Sequence, residues 1–202
     1  MFKDSFEEQL RVLTDEKDWE GVLKLSETLP LDKKSKYLWT WPTGEALQII
    51  KSTLHELGIG KLLSVGCGTG LLEWIIKESI GAAVYGLEVD RSWWESSYSP
   101  ISYIKLNFIN DVHMDPCFLQ ECCDTKDWDF GMVFCYFNNG KAFHDYLRLY
   151  KGSVVIIIGP APGVGIHTDP PPLKADFCDS GWKMLKYFNI SKDDIISFYT
   201  KS

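Results

Sequence analysis

Residues 61–70 constrain the fold more than any other stretch of this chain. They read KLLSVGCGTG, an apolar run followed by three glycines at alternate positions, and apolar residues then recur at helical spacing up to Gly81. This pattern predicts a buried strand, a glycine-rich turn and a helix. In that arrangement backbone N–H groups and a helix N-terminus face a polar ligand group. Glycine is expected because a side chain would obstruct either the tight turn or the approach of the ligand.

A second predicted strand, VYGLEVD at residues 84–90, follows at the distance typical of nucleoside-binding α/β folds. Glu88 lies near its end, where a carboxylate can accept hydrogen bonds from both hydroxyls of a ribose. The glycines are spaced GxGxG, whereas the dinucleotide fingerprint is GxGxxG, and Leu71 stands at its third glycine position. The spacing therefore disfavours a nicotinamide-dependent oxidoreductase.

These two segments, LLSVGCGTG and VYGLEVD, resemble the first and second motifs of the class I S-adenosylmethionine-dependent methyltransferases. The resemblance implies an α/β fold, with a three-layer, Rossmann-like sheet of about seven mostly parallel strands and helices on both faces. It also implies S-adenosylmethionine as cofactor and S-adenosylhomocysteine as product. One position departs from the family. Ser64 stands where Asp or Glu is usual, which removes a carboxylate from behind the methionine part of the cofactor.

The resemblance also assigns individual residues. The family commonly has an acid at the end of the third strand that binds the adenine amino group, and Asn107 aligns with it, with Phe108 flanking the base. An Asn carbonyl can accept the same N–H, and Asp111 is the alternative if the loop is shifted. The residues expected to bind the cofactor are Ser64, Gly66, Cys67, Gly68, Gly70, Glu88, Asn107, Phe108, Trp41 and Cys135.

The first 42 residues predict an N-terminal helical cap on this core. A capping box at Ser5 starts one helix, and Asp15 or Asp18 caps a second that Pro30 ends. The length of 202 residues favours one domain, with the cap and an aromatic segment at 1–42 and the Rossmann-like core at 43–202. The two helices are expected either to brace the sheet or to act as a lid that selects the substrate. They could also contact a protein partner.

The aromatic segment, YLWTWP at residues 37–42, directly precedes the helix that leads to the first strand. Its rings, Trp41 in particular, are expected near the sulfonium end of the cofactor, because an aromatic face stabilises a cation. The alternative is that the rings belong to the core. Pro42 is suited to the first turn of the following helix, which Gly58 should end.

The second half of the chain predicts the remaining strands. They are expected at 101–108, in the stretch 127–139 and at 154–158, and residues 182–188 and 195–199 should form a closing antiparallel hairpin. The fourth strand continues into Cys135-Tyr136-Phe137-Asn138. Family members that methylate amino groups of bases or of glutamine have an Asn/Asp-Pro-Pro-aromatic motif there. The mismatch disfavours such substrates.

A proline- and glycine-rich loop at residues 160–172 follows the fifth strand. Loops after the carboxyl ends of parallel strands face the site in an open α/β sheet. His167 is therefore the candidate general base, with Asp169 as its orienting partner, and Tyr136 is a second catalytic candidate. The alternative is that His167 is an ordinary surface histidine.

Composition excludes some classes of function. The net charge of −7 argues against a nucleic-acid duplex as partner, because such binding depends on Lys and Arg. No secretory h-region and no apolar run of about 18 residues is present, so we expect no membrane span and a cytoplasmic or nuclear location. Cys117, Cys122 and Cys123 lack the paired spacing of a zinc site, which predicts reduced thiols and no metal.

We therefore expect an enzyme that transfers a methyl group from S-adenosylmethionine to a small-molecule or protein acceptor. The acidic balance and the aromatic content favour a cationic or amine acceptor. The alternative is a non-catalytic protein that binds S-adenosylmethionine as a sensor or scaffold, an interpretation motivated by Ser64 and by the unmatched fourth-strand motif.

Overall fold

A computed structural model describes residues 5–109, 115–178 and 181–201. The helices within these ranges are α1 (Phe6–Asp15), α2 (Trp19–Glu27), α3 (Leu31–Lys34), α4 (Gly44–Glu56), α5 (Leu71–Ile80), α6 (Arg91–Trp94), α7 (Pro116–Cys122) and α8 (Gly140–Leu149). The strands are β1 (Lys61–Val65), β2 (Ala83–Glu88), β3 (Leu106–Phe108), β4 (Phe130–Cys135), β5 (Val154–Pro160), β6 (Trp182–Asn189) and β7 (Asp194–Lys201). No helix in the described ranges is long and apolar enough to cross a membrane.

One mixed sheet organises these elements, in the order β3-β2-β1-β4-β5-β7-β6. The first five strands are parallel, and β7 runs antiparallel to both β5 and β6. The carboxyl ends of β1, β2 and β4 therefore meet at one edge, where the order of the strands reverses and α/β folds bind their ligands. The predicted three-layer, Rossmann-like sheet is confirmed.

Both faces of the sheet are buried at its centre, which is why β5 is a continuous apolar run. One face packs against α4 and α5 and includes Leu10 of α1 and Val22 of α2 in the same apolar cluster. The other face packs against α7 and α8 around Phe134 and Phe143. The two N-terminal helices thus bury side chains with α4 and α5, as expected of a brace for the sheet.

Local signals set most helix ends. The Ser5 hydroxyl accepts the N–H of Glu8, and the Asp18 carboxylate accepts the N–H of Gly21, so Asp18 rather than Asp15 caps α2. The prediction that Pro42 lies in the first turn of α4 is wrong. The Thr43 hydroxyl accepts the N–H of Ala46 and caps the helix, so Pro42 precedes it.

The third strand is shorter than predicted, because it begins only at Leu106. Tyr103 donates its N–H to the carbonyl of Thr69, and Ile104 lies against Gly70. Residues 103 and 104 therefore support the glycine turn instead of extending the ladder with β2.

The closing hairpin is confirmed, and β6 contains an irregularity between Met184 and Lys186. Met184 pairs with Tyr199, and Lys186 pairs with Phe198, so Leu185 is an extra residue in the ladder. This is a β-bulge on an edge strand.

Candidate functional site

The turn after β1 is built by three glycines in the left-handed region. Their φ angles are +69° at Gly66, +61° at Gly68 and +73° at Gly70, and α5 starts directly afterwards. An L-residue with a side chain rarely adopts such angles, so the turn itself demands glycine. The predicted strand, turn and helix are all present.

Only one of these glycines borders open space. A Cβ atom on Gly70 would lie 2.3 Å from Cγ1 of Ile104, and one on Gly66 would lie 3.3 Å from the ring of Phe137. A Cβ atom on Gly68 would meet nothing within 4 Å. Access for a ligand is therefore a reason for glycine at position 68, whereas positions 66 and 70 are glycine because of internal packing.

Glu88 joins the end of β2 to this turn. Its Oε1 atom accepts the N–H of Gly68 at 2.6 Å, and its Oε2 atom accepts the N–H of Val89 at 3.2 Å. Burial raises the pKa of Glu88, against the lowering effect of these two hydrogen bonds and of a third from the side chain of Trp94. A carboxylate offers about four acceptor positions, so it still has room to accept a hydroxyl group of a ligand.

Ser64 is completely buried and does not leave this region without a carboxylate. Its Oγ atom donates to Oε1 of Glu73 at 2.6 Å, across from β1 to the first turn of α5. Glu73 is 3% exposed, and its Oε2 atom has no hydrogen-bond partner among the described residues. Burial raises the pKa of Glu73 to about 7. A carboxylate from the first turn of α5 thus lies directly beside Ser64.

Cys67 and Cys135 flank this buried carboxylate. Burial raises the pKa of both thiols, and the Glu73 carboxylate is the next largest cause in each case. A Cβ atom on Gly86 would lie 2.6 Å from Sγ of Cys67, so that side chain covers the middle of β2. Both cysteines are therefore protonated, apolar neighbours of the turn.

At the end of β3, Phe108 pairs with Glu88 in the ladder, and the guanidinium of Arg91 lies 4.8 Å from its ring centroid. The side-chain amide of Asn107 is bound to the backbone, because its Nδ2 atom donates to the carbonyls of Gly86 and Cys122 at 3.1 and 3.3 Å. These hydrogen bonds tie α7 to the sheet and occupy the amide hydrogens of Asn107. Its alternative, Asp111, lies outside the described residues.

An aromatic pair stands at the end of β4. The ring of Trp39 stacks on that of Tyr136, with centroids 5.3 Å apart and an interplanar angle of 18°. Trp39 is 61% exposed, so its other face is open to solvent. Trp41 is placed differently, since it packs against the core and donates its indole N–H to the carbonyl of Lys34 at 3.3 Å. The aromatic residue that reaches this edge is therefore Trp39 rather than Trp41.

Tyr136 is fixed by a buried acid. Its hydroxyl donates to Oδ1 of Asp194, which is 6% exposed, and Oδ2 of that residue accepts the hydroxyl of Ser191 at 2.6 Å. Burial, and then the hydrogen bond to Asp194, raise the pKa of Tyr136. The hydroxyl of Tyr136 therefore stays protonated and donates a hydrogen bond. The backbone of this residue has a φ of +50°.

The proline loop is tethered to the same edge. Asp169 donates its N–H to the carbonyl of Phe137 and accepts the N–H of Asn139, each at 3.0 Å. His167 is exposed and lines a cavity of about 330 Å³ beneath this loop. The Asp169 carboxylate lies against Gly140, and no hydrogen bond joins it to His167 in the described part of the chain. The predicted pair is thus close in sequence but does not interact.

Similarity to solved structures is found across nearly the whole chain. An O-methyltransferase from Bacillus cereus in complex with S-adenosylhomocysteine is 14% identical, with 98% of this chain and 100% of that chain covered and a TM-score of 0.50. The chain has the fold of class I S-adenosylmethionine-dependent methyltransferases. This agrees with the resemblance of residues 62–70 and 84–90 to the first two motifs of that family.

Two further similarities are weaker. Magnesium protoporphyrin IX methyltransferase from Synechocystis with bound S-adenosylmethionine is 10% identical, with 92% of this chain and 97% of that chain covered and a TM-score of 0.44. The 16S rRNA methylase ArmA is 12% identical, with both chains covered completely and a TM-score of 0.45. No family model matches the sequence, and no curated protein matches it.

Proposed function

We propose that this chain is an S-adenosylmethionine-dependent methyltransferase whose cofactor binds between the glycine turn and Glu88. One observation carries the proposal. The carboxylate at the end of β2 holds the N–H of Gly68 at 2.6 Å, beside the one glycine of the turn that borders open space. In this fold that position binds a ribose, and the Glu88 carboxylate can still accept a hydroxyl group of it.

Residues on both sides extend this site. Phe108, next to Glu88 in the ladder, would flank the adenine ring, and Asn107 would border it. The buried Glu73 carboxylate, with Oε2 unpartnered, would balance the positive charge at the amino-acid end. When bound, S-adenosylmethionine supplies an electrophilic methyl group on a sulfonium. The residues of this chain bind it, orient the acceptor and exclude water.

For the acceptor we propose an amine that binds at the end of β4. The exposed face of Trp39 offers a platform on which a cation or a planar group can stack. The carboxylates of Asp193 and Asp194 both act on the pKa of Tyr136, so negative charge surrounds the same edge. This combination favours a small amine, or an amine on a protein side chain, over a phosphate-bearing acceptor.

A protonated amine must lose a proton before it can attack the methyl group. We assign His167 as the residue that accepts this proton. The loop that carries this residue is held to the end of β4 by the two backbone hydrogen bonds of Asp169. Tyr136 acts by position, because its hydroxyl donates to Asp194 and its ring supports Trp39.

Isothermal titration tests the cofactor assignment. S-adenosylhomocysteine should bind saturably, and NAD should not. Glu88→Ala should weaken binding by about 1.5–3 kcal/mol, the loss of a charge-assisted hydrogen bond. The control is Glu27→Ala, an exposed residue on α2, which should bind like the wild-type protein. Unchanged affinity in Glu88→Ala would contradict this placement of the ribose.

Catalysis requires a separate assay. Incubation with S-adenosylmethionine labelled on the methyl group, together with fractionated cell extract, should label an amine-containing small molecule or protein. If the cofactor binds but no fraction is ever labelled, the sensor or scaffold alternative replaces the enzyme.

A further inference from the structure

We propose that His144, Asp176 and Cys178 form a zinc site between α8 and the segment that precedes β6. One ring nitrogen, one carboxylate oxygen and one sulfur from these residues all lie within 4.8 Å of one another. Zn²⁺ binds such atoms at about 2.0–2.3 Å in a tetrahedron, so no pair needs to approach by more than about 1.5 Å. A water molecule would complete the four ligands.

The core holds the three residues in place. Phe177, between Asp176 and Cys178, is buried, and its ring centroid lies 5.6 Å from that of Phe143 and 4.7 Å from that of Tyr199. His144 follows Phe143 on α8. Because Phe143 and Phe177 pack together in the core, the residues next to them in the sequence lie close together at the surface. The cluster is thus a consequence of packing and not a chance encounter of flexible side chains.

Hydrogen bonds restrain two of these side chains and leave each of them an atom that could bind a metal ion. His144 Nε2 lies 3.0 Å from the carbonyl of Asp176, and an imidazole that donates there keeps a lone pair on Nδ1. A histidine ligand usually donates its second nitrogen to a carbonyl or carboxylate in this way. The N–H of Cys178 donates to Oδ1 of Asp176 at 2.8 Å, which leaves Oδ2 available.

Backbone geometry and charge support the same assignment. Cys178 adopts a φ of +48°, an uncommon angle for a residue with a side chain and one that clusters at functional sites. A thiolate, a carboxylate and a neutral imidazole carry a total charge of −2, which Zn²⁺ neutralises. Sulfur and imidazole together favour zinc over magnesium or calcium. The bound ion would join the segment before β6 to α8.

Metal binding by the purified, reduced protein tests this proposal without any assay of activity. The wild-type protein should bind one zinc ion in competition with a chromophoric chelator. Cobalt in place of zinc should give the near-ultraviolet charge-transfer band of a thiolate ligand. Cys178→Ser and His144→Gln should each lower zinc affinity at least tenfold. Cys117→Ser, which removes an exposed thiol on α7, should leave it unchanged.

Asp176→Asn gives a finer test, because its amide oxygen can still accept the N–H of Cys178 while the negative charge is lost. Its zinc affinity should also fall at least tenfold, with an unchanged circular dichroism spectrum. Zinc binding that is absent in the wild-type protein, or equal in the wild-type protein and Cys178→Ser, would overturn the proposal.

Discussion

Replacing Glu73 by glutamine should change how the stability of the protein depends on pH. The Glu73 carboxyl is buried, and burial raises its pKa from 4.5 to about 7. Between these values the folded protein keeps a proton that the unfolded chain has released. The free energy of unfolding therefore falls as the pH rises through this window. A pKa difference of this size between the folded and the unfolded state corresponds to about 3 kcal/mol in the free energy of unfolding.

Glu73→Gln removes the titrating group while its amide oxygen can still accept the hydroxyl of Ser64. The free energy of unfolding of the variant should therefore not fall through this pH window. Its stability relative to the wild-type protein should improve by about 3 kcal/mol between pH 4.5 and pH 8. Urea unfolding at several pH values, followed by circular dichroism, measures the difference. Glu45→Gln, an exposed acid in the first turn of α4, controls for the removal of a charge at a helix start.

Ser64→Ala probes the same carboxyl from the other side. The hydrogen bond from Ser64 lowers the pKa of Glu73, so its removal should raise that pKa further and move the loss of stability to higher pH. Parallel pH profiles for the wild-type protein and Glu73→Gln would refute the reasoning, because they would show that Glu73 titrates normally in the folded state.

Other variants test the remaining parts of the site. Gly70→Ala should destabilise by about 2–4 kcal/mol, through its left-handed φ and the clash with Ile104. Gly68→Ala, with a similar φ but open space, should cost only about 1 kcal/mol in urea unfolding. Trp39→Ala should raise KM for an amine acceptor and leave the affinity for S-adenosylhomocysteine unchanged, as measured by kinetics and titration. Trp39→Phe keeps an aromatic ring and should have a KM close to that of the wild-type protein. His167→Ala should lower kcat by about 10²-fold in the same assay.

The cofactor side of the site could be predicted because its signals are local. The strand, the three glycines and the following helix occupy consecutive positions, and positive φ angles require glycine whatever surrounds the turn. Glu88 follows the turn at a spacing that the strand–helix–strand unit dictates. The β-branched run from Val154 to Ile158 likewise identified a strand buried on both faces.

What escaped prediction depends on contacts between distant segments. Ser64 and Glu73 meet because the first turn of α5 folds back over β1, a geometry that no periodic pattern reveals. Tyr136 and Asp194 are 58 positions apart in the chain. An aromatic run does not show which of its rings faces the core, so the sequence alone does not distinguish Trp41 from the exposed Trp39.

At the third strand, β propensity and tertiary packing favour different structures, and the sequence pattern shows only the propensity. Tyr103 and Ile104 have the β propensity of strand residues, so the sequence pattern predicts that the strand includes them. In the fold they support the glycine turn, where Ile104 fills the space that Gly70 leaves. Tertiary packing therefore overrides propensity at the strand that borders the candidate adenine site.

The bulge in β6 makes this strand unusually tolerant of a change in length. Before the bulge, Met184 pairs with Tyr199 on the face covered by α8, and after it Lys186 pairs with Phe198 on the face covered by α4. Tyr199 and Phe198 are consecutive, so removal of Leu185 would make their partners consecutive as well. Deleting one residue from a strand normally turns every later side chain to the opposite face. Here the deletion would produce a regular ladder in which both halves of the strand keep the faces they have now.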